Sequence, residues 1–136
     1  MAGVIWVVQL VHYALFDRVG ANNWQVYHEA HARRMTWVVL APMVAELGSS
    51  CLLPFSSPLP GADTQGHALL WAGAICAIFT WAVTFFISVP LHQKLTAGFD
   101  AEACRALVAT NWWRTVLWTL HAALVLAILE LIPLGL

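Results

Sequence analysis

The chain predicts an all-α fold: an integral membrane four-helix bundle with its transmembrane helices in up-down order. Three observations carry that expectation. Of 136 residues, 61% are hydrophobic and 10% are charged, and the mean hydropathy is +0.76. A soluble domain averages about 45–50% apolar and about 25% charged residues. Four apolar stretches follow one another, separated by short polar or Pro/Gly-rich breaks. The cations also gather at one end of every stretch. Length fits a single domain, 1–136. The composition excludes a disordered chain and an ordinary soluble enzyme, and a net charge of −1 gives no field that would select nucleic acid.

The first helix is expected over about 2–16. It is uncharged and short, with no Lys or Arg before it and no small-residue cleavage site around Asp17 and Arg18, so it reads as a retained helix rather than a signal peptide. Gly20 to Asn23 breaks the chain. The second helix, about 24–53, starts near Trp24, projects out of the membrane before entering it, and has Glu46 as its only charge between Met35 and Leu53. Ser49 to Gly66, with Pro54, Ser56, Ser57, Pro58, Pro60 and Gly61, reads as loop punctuation. The third helix, about 67–96, holds the clearest span: Ala68 to Leu91 is 24 residues without a charge. A bilayer core of about 30 Å needs about 20 helical residues. Gly98 to Asp100 breaks it from the fourth helix, about 101–132. Asp100 is placed to cap that helix, with Glu102 near the positive end of its dipole. Asn111, Arg114 and His121 interrupt this last apolar run, and Glu130 and Pro133 close it.

Arg18, Arg33, Arg34, Lys94 and Arg105 all fall at the end where helix one stops, helices two and four start and helix three stops. The positive-inside rule puts that end in the cytoplasm and both termini on the non-cytoplasmic side, as expected of a protein of the bacterial inner membrane. Cys51, Cys76 and Cys104 form no CxxC, and their odd number gives no disulfide framework. Of the eight Trp residues, Trp24, Trp37, Trp71, Trp112 and Trp113 are spaced as an interfacial belt, while Trp81 and Trp118 lie deeper, where they could line a cavity. Gly73, Ala77 and Thr80 form a small-residue stripe suited to close helix packing.

Polar residues inside a membrane span are costly and point to function. Here each helix carries one polar stripe. Helix one has Gln9 and His12, with Phe16 below. Helix two has His28 and His31 at i,i+3, and Glu46 about five turns after His28 unless Pro42 disturbs the phase. Helix three has Thr84, Ser88 and His92 at intervals of four. Helix four has Asn111, Arg114, Trp118 and His121. Depth counting puts His12, His92 and Asn111 about one turn inside the cationic end, with His28 and His31 at or above the surface. A pocket of His12, His28, His31 and His92 is expected there. Beneath it would lie a network of Gln9, Glu46, Thr84 and Arg114, in which Glu46 and Arg114 form the intramembrane ion pair. His121 reads as structural and His67 as a membrane-edge residue.

Val89-Pro90-Leu91-His92-Gln93-Lys94-Leu95, followed by Asn111-Trp112-Trp113-Arg114-Thr115, resembles a group of small bacterial four-helix membrane proteins that includes the anthrone-oxygenase-like proteins. The shared features are V-P-L-x-x-x-L at the end of one helix and an Asn followed by an Arg in the next, over the C-terminal half. That pattern has an Asn where this chain has His92, and no counterpart of His28-x-x-His31. The resemblance implies four helices and oxidation of an aromatic, lipid-soluble substrate.

These residues predict a membrane-embedded site acting on a hydrophobic small molecule such as a quinone, polyketide, carotenoid or lipid. His28, His31 and His92 are the expected ligands of a transition metal (Fe, Cu or Zn) or haem, with His12 a further cofactor-binding candidate, because imidazole is the commonest metal ligand. Glu46 is the expected acid–base or proton-relay group, and Arg114 with Asn111 would orient the substrate. The competing expectation is a non-catalytic subunit of a larger membrane complex or a homo-oligomer, its polar stripes serving as packing glue. A proton or ion carrier using Glu46, His12 and Arg114 has a thin aqueous path, since helix three offers only Thr80, Thr84 and Ser88.

Overall fold

The structure, a computed structural model, describes residues 1–56 and 64–131. Among these, no strand forms and the chain folds into four helices. Helix α1 is irregular: an α-helical start, Ala2–Val7, a π-helical turn, Val8–His12, and a tight 3₁₀ segment, Tyr13–Arg18. Helix α2, Trp24–Leu52, runs unbroken through Pro42. Helix α3 joins Thr64–Val83, a π-helical turn at Thr84–Ser88, and Val89–Ala97. Helix α4 is Ala101–Leu131. Ser49 and Ser50 are therefore helical, in keeping with the expected bounds of about 24–53, so that the punctuation expected from Ser49 begins only after them, and α3 starts three residues before its predicted first residue, His67. The Pro58, Pro60, Gly61 and Pro133 punctuation lies outside the described residues.

Local chemistry explains the breaks. Gly20 turns the chain between α1 and α2 at φ +76°, a region that only glycine enters without strain. The carboxylate of Asp100 accepts hydrogen bonds from the backbone N–H groups of Glu102 (2.9 Å) and Ala103 (3.0 Å), the N-cap expected from sequence. These bonds, led by the one from Ala103, hold the Asp100 carboxyl below its ordinary value. Pro90 lacks an N–H, and its ring presses on the carbonyl four residues earlier, at Phe86. The π turn at Thr84–Ser88 absorbs that misfit.

Consecutive helices run antiparallel. The start of α2 meets the end of α3, where Trp24 Nε1 donates to the Leu95 carbonyl at 2.8 Å. The end of α2 meets the start of α3 through Phe55 edge-on to Trp71. Helix α1 crosses α4 the same way: Gln9 meets Asn111, and Trp6 meets Thr119. The closest helix pair is α3 with α4, where Gly73, Ala77 and Thr80 are buried as the small-residue stripe predicts. The buried face of α2 reads Trp24, His28, His31, Met43 and Ser50, with half-buried Met35, Val39 and Glu46 between. That spacing keeps one face inward across Pro42.

Large apolar side chains point outward. Trp37 is 80% exposed and Phe86 is 82% exposed. Such surface far exceeds what a soluble monomer presents. Three segments, Ala21–Phe55, Thr64–Ala97 and Ala101–Leu131, are each long and apolar enough to cross a membrane, and Ala2–Phe16 is a shorter apolar helix. Two tryptophan expectations are corrected. Trp24 does not join a belt but is fully buried, because its N–H ties α2 to α3. Trp118 packs in the core with no exposure, and among the described residues neither it nor Trp81 lines any of the four best-formed cavities. Among the described residues, none of the three cysteines is in a disulfide.

Candidate functional site

All four predicted histidines converge at the cationic end of the bundle. His12 from α1 stacks on His31 from α2, with ring centroids 4.4 Å apart, and its Nε2 is paired with His31 Nδ1. His28 Nε2 lies 3.1 Å from Nδ1 of His92, which α3 contributes. His31 and His92 stack at 5.8 Å, joining the two pairs. Phe16, Tyr27 and Trp24 pack around them. The predicted difference in depth is corrected: His28 lies level with His92, and His31 with His12, because α2 is already packed against α3 at Trp24.

One residue that periodicity did not single out completes this layer. Tyr13, 2% exposed, places its hydroxyl 3.0 Å from His92 Nε2. The π turn explains why. It takes about one residue more per turn than an α-helix, so Tyr13 rather than His12 follows Gln9 onto the inward face, while His12 swings toward α2. A single set of neutral tautomers satisfies the chain of bonds. Thr96 Oγ1 donates to the His92 carbonyl (2.9 Å) and so accepts from His28 Nδ1–H across 3.4 Å. His28 Nε2 then accepts from His92 Nδ1–H, and His92 Nε2 accepts from Tyr13. The order is Tyr13 to His92 to His28 to Thr96, a path along which a proton can be passed.

Those pairings also decide where the imidazole nitrogens face. Both nitrogens of His92 and of His28 are engaged with neighbours. Among the described residues, no group of three His, Cys, Asp or Glu side chains is placed to hold a metal ion.

A cavity of about 260 Å³ opens beside this layer, bordered by Tyr13, His31, Thr84, Ser88, His92 and Arg114, with Ile5, Val8, Met35 and Val39 as its apolar wall. The predicted stripe of Thr84, Ser88 and His92 thus shares one surface. Arg114 is 6% exposed. Its Nη1 donates to Asn111 Oδ1 (3.1 Å), and Asn111 in turn donates to Gln9 Oε1 (2.8 Å). Of the expected network only Gln9 and Arg114 are joined, and through Asn111, while Thr84 Oγ1 donates to the Thr80 carbonyl (2.8 Å) and Glu46 lies elsewhere. The Tyr13 side chain lies against the guanidinium. Two of the residues that border this cavity also hold buried atoms, Arg114 Nε and Ser88 Oγ, with no hydrogen-bond partner among the described residues.

The predicted Glu46–Arg114 ion pair does not form. Glu46 Oε1 instead lies 2.9 Å from His121 Nδ1, and its other oxygen lies 3.7 Å from the Met1 amino group. His121 on α4 reaches it first, at the end of the bundle away from the histidine layer. Among the described residues, Arg114 faces no carboxylate. Ser50 completes the Glu46 group, its Oγ 2.8 Å from His121 Nε2. Spacing holds the signal, since Ser50 follows Glu46 by one helical turn on the same expected helix, but a lone serine beside the Ser49–Gly66 punctuation does not stand out in sequence.

Comparison of the chain with protein-family models, with curated proteins and with solved structures returns no match. The functional reading therefore rests on the site itself.

Proposed function

We propose that this chain is an integral membrane protein whose four helices cross a bacterial inner membrane, with the cationic end in the cytoplasm, and that it binds and transforms a lipid-soluble molecule through a carbonyl or acidic hydroxyl oxygen. One observation carries this reading. A buried guanidinium that, among the described residues, has no carboxylate beside it and no partner for its Nε belongs to a residue bordering a largely apolar cavity next to Tyr13, His31 and His92. Burying a charge without a counter-charge costs several kcal/mol, and an oxyanion or polarised carbonyl from a bound molecule supplies the missing partner. Quinones, phenols and aromatic polyketides have that oxygen on a flat apolar body. Arg114 and Ser88 would hold the oxygen, Asn111 and Gln9 would fix Arg114, and the Tyr13–His92–His28 chain would deliver or remove the proton.

The anthrone-oxygenase-like resemblance agrees with such a substrate. A transition metal or haem on His28, His31 and His92, with His12 nearby, would add redox chemistry. It requires the rings to turn away from their present partners.

The test uses the protein purified in mild detergent. Absorption spectroscopy and metal analysis are run on one sample, and binding of 2-hydroxy-1,4-naphthoquinone, an acidic flat quinone, is followed by quenching of tryptophan fluorescence. Saturable binding that weakens in Arg114→Met supports the reading. Equal binding by both proteins overturns it. A Soret band, or about one equivalent of Fe, Cu or Zn lost on His28→Ala, establishes the cofactor.

A further inference from the structure

A second constellation lies away from the histidine layer and plays no part in the function proposed above. Glu46 and Ser50 stand one turn apart on α2, and His121 reaches between them from α4. Ser50 Oγ is 2.8 Å from His121 Nε2, and His121 Nδ1 is 2.9 Å from Glu46 Oε1. With the Nδ1 proton held by the carboxylate, Nε2 presents its lone pair to the serine hydroxyl, the order that activates a serine nucleophile. Ser50 is 8% exposed and His121 is 4% exposed.

A packing role alone would need only the hydrogen bonds. The surroundings supply more. Ser50 and His121 both border a separate apolar cavity of about 190 Å³, walled by Leu53, Leu70, Val125 and Leu129. From α3 it is Gly73 that faces the imidazole: a Cβ there would lie 3.9 Å from His121 Nε2. No α3 side chain at that position covers the nitrogen that would take the proton. The ring packed edge-on against His121 is Trp118, whose buried indole N–H has no partner among the described residues.

We propose that Ser50 is an acyl-accepting nucleophile for lipophilic esters. Its Oγ forms a bond to the ester carbonyl carbon while its proton passes to His121 Nε2. His121 then gives that proton to the departing alkoxide as the ester C–O bond breaks, leaving an acyl-serine and an alcohol. Water, deprotonated by the same nitrogen, releases the carboxylic acid and restores Ser50. Ester and water become acid and alcohol with no change of oxidation state. Glu46 is a positioning residue that fixes the His121 tautomer.

The experiment treats the full chain, in detergent or in native membranes, with an alkyl fluorophosphonate and with 4-nitrophenyl octanoate. The expected result is a phosphonyl adduct located on Ser50 by mass spectrometry. Adduct formation and ester hydrolysis should vanish in Ser50→Ala and fall by about 10²-fold or more in His121→Gln, while Ser49→Ala keeps both. Glu46→Gln should slow both and move the pH profile, and Glu46→Asp should restore part of the rate. No adduct on Ser50 in the folded wild-type protein overturns the proposal, whatever the variants do. Labelling of equal rate in His121→Gln overturns it as well.

Discussion

Replacing Arg114 by Met separates a binding role from a structural one. Arg114 is 6% exposed, spends one N–H on Asn111, lies against the Tyr13 side chain, and has no partner for its Nε among the described residues. A ligand oxyanion meeting that group gains charge-assisted hydrogen bonds worth about 1.5–3 kcal/mol each. At about 1.4 kcal/mol per decade, losing one such bond weakens binding by about tenfold to just over a hundredfold. In the ligand-free protein the sign reverses. Arg114 there is a desolvated charge facing no carboxylate among the described residues, and apolar replacement of buried ionic groups is often neutral or stabilising by about 1–4 kcal/mol. Losing the bond to Asn111 Oδ1 offsets part of that gain. Arg114→Met should therefore melt at or above the wild-type temperature in detergent without ligand, while losing affinity for 2-hydroxy-1,4-naphthoquinone. Thermal unfolding by circular dichroism and fluorescence quenching read the two effects separately. A variant that melts several degrees lower, or one that binds the quinone as wild type does, refutes the reasoning.

Further outcomes follow from single contacts. Tyr13→Phe removes the donor to His92 Nε2 and should leave the fold intact while altering the pH dependence of quinone binding, measured by the same quenching titration between pH 5 and pH 9. Trp24→Phe leaves the Leu95 carbonyl without its 2.8 Å donor and should cost about 1–3 kcal/mol in detergent unfolding. Ala77→Leu adds bulk where the side chain is fully buried between α3 and α4 and should cost about 1–3 kcal/mol by overpacking, seen as a lower melting temperature. Asp100 has a lowered carboxyl value. Its contribution is thus present above the unfolded value of 3.8 and is lost as pH falls through the lowered folded value. Melting curves at pH 3 and pH 6 should show less acid sensitivity in Asp100→Asn, which keeps a capping oxygen but cannot ionise.

The fold was legible because burial in this chain follows simple periodicity. The inward stripe of α2 keeps a three- and four-residue rhythm from Trp24 to Ser50, so Pro42 causes no loss of phase. The small residues of α3 announced its close approach to α4, and the Asp100 cap could be read from its place before the last apolar run. Trp24 was misread because composition cannot tell an indole at an interface from one whose N–H is taken by a carbonyl on the next helix. Glu46 was misassigned for a related reason. Arg114 was the only cation on the polar stripes, but a neutral-looking His121 stood nearer, and sequence distance carries no information about which of two helical neighbours is reached first.

The convergence of the histidines depends on the two places where the helices depart from regularity. Val8–His12 and Thr84–Ser88 are both π-helical, and each lies next to the residues it reorients. In α1 the wide turn sends His12 toward His31 and turns Tyr13 inward. In α3 it precedes Pro90 and sets Ser88 and His92 on the same cavity wall. A regular α1 would put His12 on Gln9's side and leave Tyr13 off it, breaking the bond to His92 Nε2. Such turns cost helix hydrogen-bond geometry and are often found at functional sites. Two of them, on α1 and α3, beside one cavity with a buried cation that faces no carboxylate among the described residues, favour a site over packing glue: glue asks only that polar groups be satisfied, and among the described residues Arg114 Nε and Ser88 Oγ have no hydrogen-bond partner.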